Sequence, residues 1–390
     1  MKDGQLCVAQ IGCGAFAAGQ DLPNFRDNPR VTCTWCCDVS EANARKLAAE
    51  YAVPHVTTDF MEVMRDPEVD FVKIATSHEV HLPIIEAAAK AGKHVFCEKP
   101  LAMETREALL IIRAVRQSGI KLCVDLNRRM SPALGALKAR WQAHRAHPTS
   151  QTWRYIETER ASLPDELRTH FLVRIQDDTA SYRMVHLDPL RGGGEIIGET
   201  VHWLDVSNWL YAPQIPVQIQ AWGSTRFSHG INITYSEGDT ATILFNCGGT
   251  FDYPKELYEI TCRGGLFRSE IFVENTYYGV PGLERDLFPL LRDSNPEVGQ
   301  EGGMSGYMAK YNARVRGLAN SKEGANTLAV DKGWSQMLDG FVTAILEDKP
   351  SPCDEMAGHL STYLAKLAIQ SIETRTVLPV PLEKVVFTVL

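Results

Sequence analysis

The sequence predicts an α/β protein in which a doubly wound parallel sheet precedes an α+β domain with an open, mostly antiparallel sheet. A glycine-rich turn directly follows the apolar run Leu6–Ile11, and short apolar runs alternate with helix-length segments as far as Asp125. From about Gln151, longer runs alternate polar and apolar residues, as in strands with one exposed face. We therefore expect a first domain at residues 1–126 and a second at 127–390, whose last helices pack back on the first.

Composition narrows the class of protein. The chain has 390 residues, 44% of them hydrophobic and 23% charged, which fits a soluble globular protein of two domains. A net charge of −8 argues against nucleic acid or an anionic membrane as partner. The absence of a signal-peptide pattern and of a membrane-length apolar run predicts a cytoplasmic protein. Cys33-x-x-Cys36 has no second pair or histidine cluster nearby, so we expect reduced thiols and no metal site.

The first glycine-rich turn has the form of a dinucleotide-binding fingerprint. In the segment from Gly12 to Ala17, GxGxxA, Gly12 permits the tight turn, Gly14 lets backbone approach a pyrophosphate, and Ala17 allows close helix–strand packing. The helix that follows offers free N–H groups to phosphate. The strand Val31–Cys37 ends in Asp38, at the distance expected of a ribose-binding carboxylate. No cation adjoins Asp38 to receive a 2′-phosphate, which favours NAD over NADP.

The remaining elements follow in alternation. We expect helices at Glu41–Tyr51 (capped by Ser40), from about Phe60 (capped by Asp59), at His81–Ala91 and from about Glu104 to Gln117, and strands at Val69–Ala75, His94–Cys97 and Lys121–Asp125. In the second domain we expect strands at Gln151–Glu159, Pro216–Ser224, Thr240–Cys247, Glu256–Arg263 and Phe267–Glu274, and closing helices at Gly333–Leu346 and Asp354–Thr374. The segment Thr276–Asn326 reads as a loop or lid.

A charged pair ends the fifth strand. Glu98 and Lys99 follow His94–Cys97 directly, and Pro100 comes next. Ligands of parallel sheets bind beyond the carboxyl ends of the strands, and the proline restricts the conformation of Lys99. A lysine held beside a carboxylate is a candidate acid/base group. Taken alone, the segment fits a solvated strand end equally well.

These motifs together resemble the Gfo/Idh/MocA family of oxidoreductases. The residues that carry the resemblance are GxGxxA at Gly12, Ala75–Thr76–Ser77 with His81, the run from Gly92 to Pro100, Asn127–Arg128–Arg129, Gly192–Gly193–Gly194 and His202. The resemblance implies NAD as cofactor and a carbohydrate substrate. It also implies a homodimer or homotetramer formed through the C-terminal sheet.

The motifs and the resemblance together assign residues to the two ligands. The cofactor would be bound by Gly12, Gly14, Ala15, Phe16, Asp38, Thr76, His81, Glu98, Lys99 and Asn127. The substrate would be bound by Lys99, Arg128, His186, Glu199 and His202. Lys99 would contact the reacting hydroxyl.

One departure from the family pattern concerns an acid. Many members carry Asp four residues before the histidine, where this chain has Gly198, and the nearest carboxylate is Glu199. Glu199 and His202 are helical neighbours at i and i+3, so Glu199 either replaces the missing acid or stabilises a helix N-terminus. The alternative interpretation of His202 is a structural histidine in the core. His186 and Asp188 fit substrate contacts or polar surface, and Trp153, Trp203 and Trp209 fit sugar stacking or core.

Three functions are compatible with these residues. The first is an NAD-dependent oxidoreductase acting on a secondary hydroxyl of a sugar, cyclitol or glycoside, with Lys99 as general base, assisted by His202 and Glu199. The second is an NAD-dependent glycoside hydrolase that oxidises C3 transiently, eliminates the aglycone and returns the hydride. The third, a nucleotide-binding sensor without chemistry, has no need of Glu98, Lys99 and His202 as a set.

Overall fold

The first sheet has six parallel strands. The structure, a computed structural model, describes residues 4–159, 167–177, 187–188, 190–249, 254–291, 302–309 and 330–381. The strands are β1 Leu6–Ile11, β2 Val31–Cys37, β3 His55–Thr57, β4 Phe71–Ile74, β5 His94–Cys97 and β6 Leu122–Val124. Their order, β3-β2-β1-β4-β5-β6, reverses direction between β1 and β4. The predicted doubly wound sheet is therefore confirmed, and its ligand crevice lies at this reversal.

Local sequence signals explain the elements of this sheet. Strands β1 and β4 are buried along their whole length, as expected of strands covered on both faces. The covering helices are α1 Leu22–Asp27, α2 Glu41–Tyr51, α3 Phe60–Arg65, α4 His81–Lys90 and α5 Thr105–Ser118. The predicted caps are confirmed: Ser40 Oγ accepts the Asn43 N–H and Asp59 Oδ1 accepts the Met61 N–H.

The second sheet is open and mostly antiparallel, as predicted. Within the described residues it has nine strands: β7 His170–Gln176, β8 Pro216–Gly223, β9 His229–Tyr235, β10 Thr240–Asn246, β11 Glu256–Cys262, β12 Gly265–Glu270, β13 Glu274–Tyr278, β14 Arg285–Leu287 and β15 Leu378–Pro379. They follow the order β14-β13-β12-β11-β7-β10-β9-β8-β15, and the β7–β10 pair is parallel. Helices α6 Pro132–Ala146, α7 Gln151–Glu159 and α8 Val201–Tyr211 belong to this half.

Two of the expected strands were wrong. Gln151–Glu159 is helix α7, because Ser150 Oγ accepts the Trp153 N–H as a cap and Trp153 Nε1 donates to Glu157 one turn further on. The expected strand Phe267–Glu274 is split between β12 and β13 by a turn in which Ile271 and Phe272 have positive φ, 43° and 65°. The expected loop from Thr276 begins with the end of β13 and with β14, and most of it lies outside the described residues.

The two C-terminal helices pack against the first sheet. In α9 (Trp334–Leu346), the Phe341 ring lies 5.7 Å from Phe71 and 5.6 Å from Phe96. In α10 (Glu355–Thr374), Thr362 Oγ1 donates to the Ala102 carbonyl, while Ser371 Oγ accepts the N–H of Ala221 in β8. Helix α10 thus contacts both halves of the chain. No helix among the described residues is long and apolar enough to cross a membrane.

Candidate active site

A cavity of about 560 Å³ lies beyond the carboxyl ends of β4 and β5, between the two sheets. Ala15, Phe16, Thr76 and Glu98 line it on the side of the glycine-rich turn. Lys99, Arg128, Glu199 and His202 line it as well. The structure thus brings together eight of the residues that the sequence predicted for cofactor and substrate. The crevice at a topological switch point is where ligands of such sheets bind.

Lys99 is fixed by two oxygens from the second half of the chain. Its Nζ donates to the Gly198 carbonyl at 2.7 Å and to Glu199 Oε1 at 2.8 Å. Lys99 is 9% exposed and Glu199 4% exposed, so water screens this pair weakly. The Lys99–Pro100 peptide bond is cis. The pair gives the cavity an ammonium group whose counterion lies within hydrogen-bonding distance.

A π-helical turn, Ile196–Thr200, positions Glu199 and leads into α8. Such turns widen the helix by one residue and occur often at functional sites. The turn directs both the Gly198 carbonyl and the Glu199 carboxylate toward Lys99. The sequence prediction for Glu199 assumed the spacing of a regular α-helix between Glu199 and His202. Nothing in the sequence indicated a π-helical turn at this place.

His202 is held neutral in the cavity wall. Burial lowers its pKa well below the usual value, and the positive charges of Arg128 and Lys99 lower it further. Its Nδ1 has no hydrogen-bond partner among the described residues. A neutral imidazole with a free nitrogen can accept a proton from a ligand or donate one to it.

The sequence reading missed a buried lysine behind Glu98. Lys73 Nζ lies 2.7 Å from Glu98 Oε1, 2.8 Å from Asp125 Oδ2 and 3.4 Å from Asp21 Oδ1. Burial, more than any neighbouring charge, raises the pKa of Asp125 to about 8. The three carboxylates are close enough to share a metal ion, but the Lys73 ammonium already lies among them. One signal was present, a lysine inside the otherwise apolar strand β4.

Arg128 belongs to a second buried cluster. Its Nε and Nη2 donate to Glu256 at 2.8 and 3.0 Å, and Lys332 Nζ donates to the same carboxylate at 3.0 Å. Trp203 Nε1 also donates to Glu256, at 3.0 Å. Trp203 is therefore a core residue. Trp153 is buried as well, and neither ring offers a face to a sugar. These cations hold the pKa of Glu256 well below its usual value despite its burial.

The glycine-rich turn has the geometry that its motif predicts. Gly12 has φ +92°, and a Cβ there would lie 2.3 Å from the Ala75 carbonyl oxygen, so a side chain cannot fit. Around Gly14 a Cβ would meet nothing within 4 Å, which leaves the backbone open to a ligand. Asp38 Oδ2 accepts the Cys13 N–H at 2.7 Å, and its Oδ1 accepts the Ser40 N–H at 2.8 Å. Asp38 is thereby held beside the turn, where a ribose carboxylate is expected.

Other predicted site residues lie elsewhere. His81 is fully buried, with its Nδ1 2.9 Å from the Pro100 carbonyl oxygen. Asn127 is also fully buried and donates to the Lys332 carbonyl at 2.9 Å. His186 lies outside the described residues. His78, which the sequence reading did not assign to the site, lines the cavity. The roles of His81 and Asn127 with the cofactor stay predictions.

Comparisons with known proteins relate the first part of the chain to NAD-binding oxidoreductases. Residues 6–126 match the model of an oxidoreductase family described by its NAD-binding Rossmann fold. D-apiose dehydrogenase of Paraburkholderia graminis is 30% identical over 33% of this chain and 34% of its own length. Levoglucosan dehydrogenase of Pseudarthrobacter phenanthrenivorans is 37% identical over 26% of each chain. The chain thus matches about a third or less of the length of these curated relatives.

A solved structure extends the likeness to the whole fold. The aldose-aldose oxidoreductase of Caulobacter crescentus, complexed with glycerol, superposes with a TM-score of 0.74, covering 96% of this chain and 100% of its own. At 16% identity this likeness is one of fold alone. The NAD-binding assignment of the first domain, made from the sequence, is confirmed by the family match.

Proposed function

Because residues 6–126 belong to the Gfo/Idh/MocA oxidoreductase family and form its NAD-binding Rossmann fold, we propose that this chain is an NAD-dependent dehydrogenase of a sugar, cyclitol or glycoside. The observation that carries the proposal is the Lys99 ammonium, held by Gly198 and Glu199 in the cavity that His202 also lines. Two curated relatives are named as dehydrogenases of D-apiose and levoglucosan, which supports a carbohydrate as the substrate.

Lys99, Glu199 and His202 each have a role in this reaction. NAD, when bound, accepts the hydride from the carbinol carbon or returns it. In the reductive direction the Lys99 ammonium donates a proton to the carbonyl oxygen, and Glu199 stabilises the charge of Lys99 before the transfer. In the oxidative direction the Lys99 ammonium would first pass a proton to Glu199 across the 2.8 Å contact, and the neutral amine so formed would take the hydroxyl proton. His202, being neutral, orients the hydroxyl by a hydrogen bond.

The polar shell of the cavity suits a polyhydroxylated ligand. Ala15, Phe16 and Thr76 would face the cofactor together with Glu98, whose carboxylate is fixed by Lys73. Glu199 and His202 would bind hydroxyl groups of the substrate. Positioning of this kind is the main contribution of the protein when the cofactor supplies the redox chemistry.

Substitution of Lys99, with NADH formation as the measurement, tests the proposal. We expect wild-type protein with NAD to produce NADH from at least one member of a panel of sugars, cyclitols and glycosides, followed by absorbance. Lys99→Ala should lower kcat by roughly 10²- to 10⁴-fold, the usual contribution of a general acid/base, while NAD still binds. The exposed Lys90→Ala is the matched control and should keep full activity. Turnover by Lys99→Ala within a few-fold of wild type would contradict the assignment.

The glycosidase alternative is supported by one feature of the cavity. Glu199 is a carboxylate in contact with Lys99, and after oxidation at C3 such a group could assist departure of an aglycone. Incubation with aryl glycosides and NAD separates the two functions. Release of the aglycone without accumulation of NADH supports cleavage, while NADH formed in equal amount to oxidised sugar supports the dehydrogenase.

Assembly of the chain is also a proposal. The nine-stranded sheet has partly exposed apolar side chains, among them Trp222 at 45% and Leu244 at 37%. An open sheet face with such residues is a candidate interface, and we propose a homodimer or homotetramer formed through it. Light scattering coupled to gel filtration gives the mass directly, and a monomer at micromolar concentration would contradict the proposal.

A further inference from the structure

The ion pairs of the cavity leave three cations without a partner in its lining. Among the described residues, six charged side chains line it: Glu98, Lys99, Arg128, Glu199, Lys255 and Lys332. Lys99 is paired with Glu199, and Glu98 is paired with Lys73 behind it. Both acidic side chains of the lining therefore already contact a lysine, and Glu98 shares Lys73 with Asp21 and Asp125. Arg128, Lys255 and Lys332 remain.

The counterions of these three cations are two carboxylates in a deeper layer. Glu256 pairs with Arg128 and Lys332, and Asp177 pairs with Lys255 at 2.5 Å. Both acids are completely buried. Among the described residues these three cations therefore share two carboxylates, which leaves an excess of one positive charge within this group of five side chains.

Glu256 has little capacity left for these cations. Its two oxygens accept hydrogen bonds from Arg128, Lys332, the Trp203 indole and the Tyr258 hydroxyl. Among the described residues, Arg128 uses its Nε and Nη2 toward Glu256, and Lys332 uses one ammonium proton. A guanidinium has five N–H donors and an ammonium three, so further donors remain available to a ligand.

The pKa of Lys332 is consistent with three cations sharing two carboxylates. Burial lowers the pKa of Lys332 to about 8, and the nearby charges of Arg128 and Lys255 lower it further, against the opposing effect of Glu256. A ligand anion placed between the lysines would remove this repulsion and would be bound in a largely desolvated site, where charge-assisted hydrogen bonds are strong.

From this arrangement we infer that the substrate is an acidic sugar, whose carboxylate or phosphate is bound by Lys255, Lys332 and Arg128 while a hydroxyl reaches Lys99. The inference rests on the proposed function and specifies its substrate class. Lysines bind a carboxylate or a phosphate as point charges, so the site itself does not distinguish the two groups. Experiment has to separate them.

Matched substrates test the inference. Each neutral aldose of a panel, such as glucose, is compared with its 6-carboxylate and its 6-phosphate, with NAD and full-length protein. We expect kcat/KM at least tenfold higher for one of the two anionic forms than for the neutral sugar. The preferred anion then identifies the group. Equal or higher kcat/KM for the neutral sugars would overturn the inference and leave the dehydrogenase proposal standing.

Substitution of Lys255 ties the preference to the site. Lys255→Met should raise KM for the anionic sugar at least tenfold, with kcat and NAD affinity within about threefold of wild type. Lys255→Arg should restore KM. The control Lys366→Met removes a lysine that pairs with Glu104 on another surface. A Lys255→Met variant that loses activity equally on neutral and anionic sugars would overturn the assignment.

A binding measurement keeps the inference testable without turnover. Calorimetry on the NAD-loaded protein, with glucuronate and glucose 6-phosphate as probes, should detect at least one anion, weakened tenfold or more in Lys255→Met and Lys255→Gln. Absence of binding by both anions at millimolar concentration would overturn the inference. Failure of every carbohydrate to yield NADH or aglycone would instead overturn the proposed function.

Discussion

The Lys99 ammonium and the Glu199 carboxylate form a 2.8 Å ion pair although 100 residues separate them in the chain. Lys99 comes from the end of β5 and Glu199 from the π-helical turn before α8. The contact therefore joins the cofactor sheet to the second half of the chain, inside the cavity. From the sequence, Glu199 was expected to act together with His202. The structure gives it a direct contact with Lys99, so that Glu199 is the counterion of the Lys99 ammonium.

Glu199→Gln removes the charge of that partner and keeps its shape. We expect kcat to fall by roughly 10²-fold or more, because the proton on Lys99 loses its nearby acceptor. The pH dependence of kcat should also change shape, while NAD affinity stays within about threefold. Glu199→Asp, which keeps the charge with a shorter reach, should retain more activity than Glu199→Gln. Equal activity of both variants with wild type would contradict the role.

Lys73→Met leaves three buried carboxylates without their cation. Removing one partner of a buried pair typically costs about 3–5 kcal/mol in the free energy of unfolding, and urea unfolding measures it. Adding Asp125→Asn to Lys73→Met should recover part of the loss, because one of the uncompensated acids becomes neutral. Lys366→Met, at a partly exposed ion pair, should cost less than about 1 kcal/mol. A Lys73→Met protein as stable as wild type would contradict the account.

The residues that could be predicted from the sequence have local signals. Gly12 and Gly14 lie in a turn whose geometry their lack of a side chain dictates, and Lys99 lies between a strand and a proline. Local signals of this kind also placed the helices and their caps. The polar–apolar alternation of Gln151–Glu159 predicts a strand, but Ser150 caps the segment as helix α7.

The rest of the site depends on contacts that are distant in sequence. Glu256 gathers Arg128, Lys332 and Trp203, which are 128, 76 and 53 residues away along the chain. Lys73 looked like part of an ordinary strand until the structure placed three acids around it. The lysine inside apolar β4 and the motif Asn127–Arg128–Arg129 mark single residues in the sequence, but only the folded chain shows which acids they meet.

His359 predicts a specific acid sensitivity. It is buried in α10, neither ring nitrogen is hydrogen-bonded within the described part of the chain, and burial lowers its pKa from 6.5 to about 4. Below pH 6.5 the unfolded chain binds a proton that the folded chain refuses, so stability is lost as pH falls toward 4. His359→Leu should remove about 2 kcal/mol of the loss between pH 7 and pH 5. Urea unfolding at both pH values measures this, and the exposed His147→Leu is the control. An unchanged pH dependence in His359→Leu would contradict the account.

Asp38 and its surroundings predict a preference for NAD over NADP. Both oxygens accept backbone N–H groups, yet a carboxylate has lone pairs for the ribose hydroxyls as well. Arg45, the nearest cation along the following helix, pairs with Glu41 one turn before it. Repulsion between Asp38 and the 2′-phosphate of NADP should therefore make NAD bind on the order of a hundredfold more tightly than NADP.

Titration of both cofactors by tryptophan fluorescence measures this preference, because Trp334 lines the cavity beside Phe16. Asp38→Ala should weaken NAD more than loss of the ribose contact alone would, since the Cys13 N–H of the glycine-rich turn loses its acceptor too. NADP should gain little until a cation is added, and Val39, which is 96% exposed, gives an arginine room to reach the phosphate. Asp38→Ala with Val39→Arg should then bind NADP more tightly than Asp38→Ala alone. Equal or tighter binding of NADP by the wild-type protein would show that Asp38 does not select the cofactor.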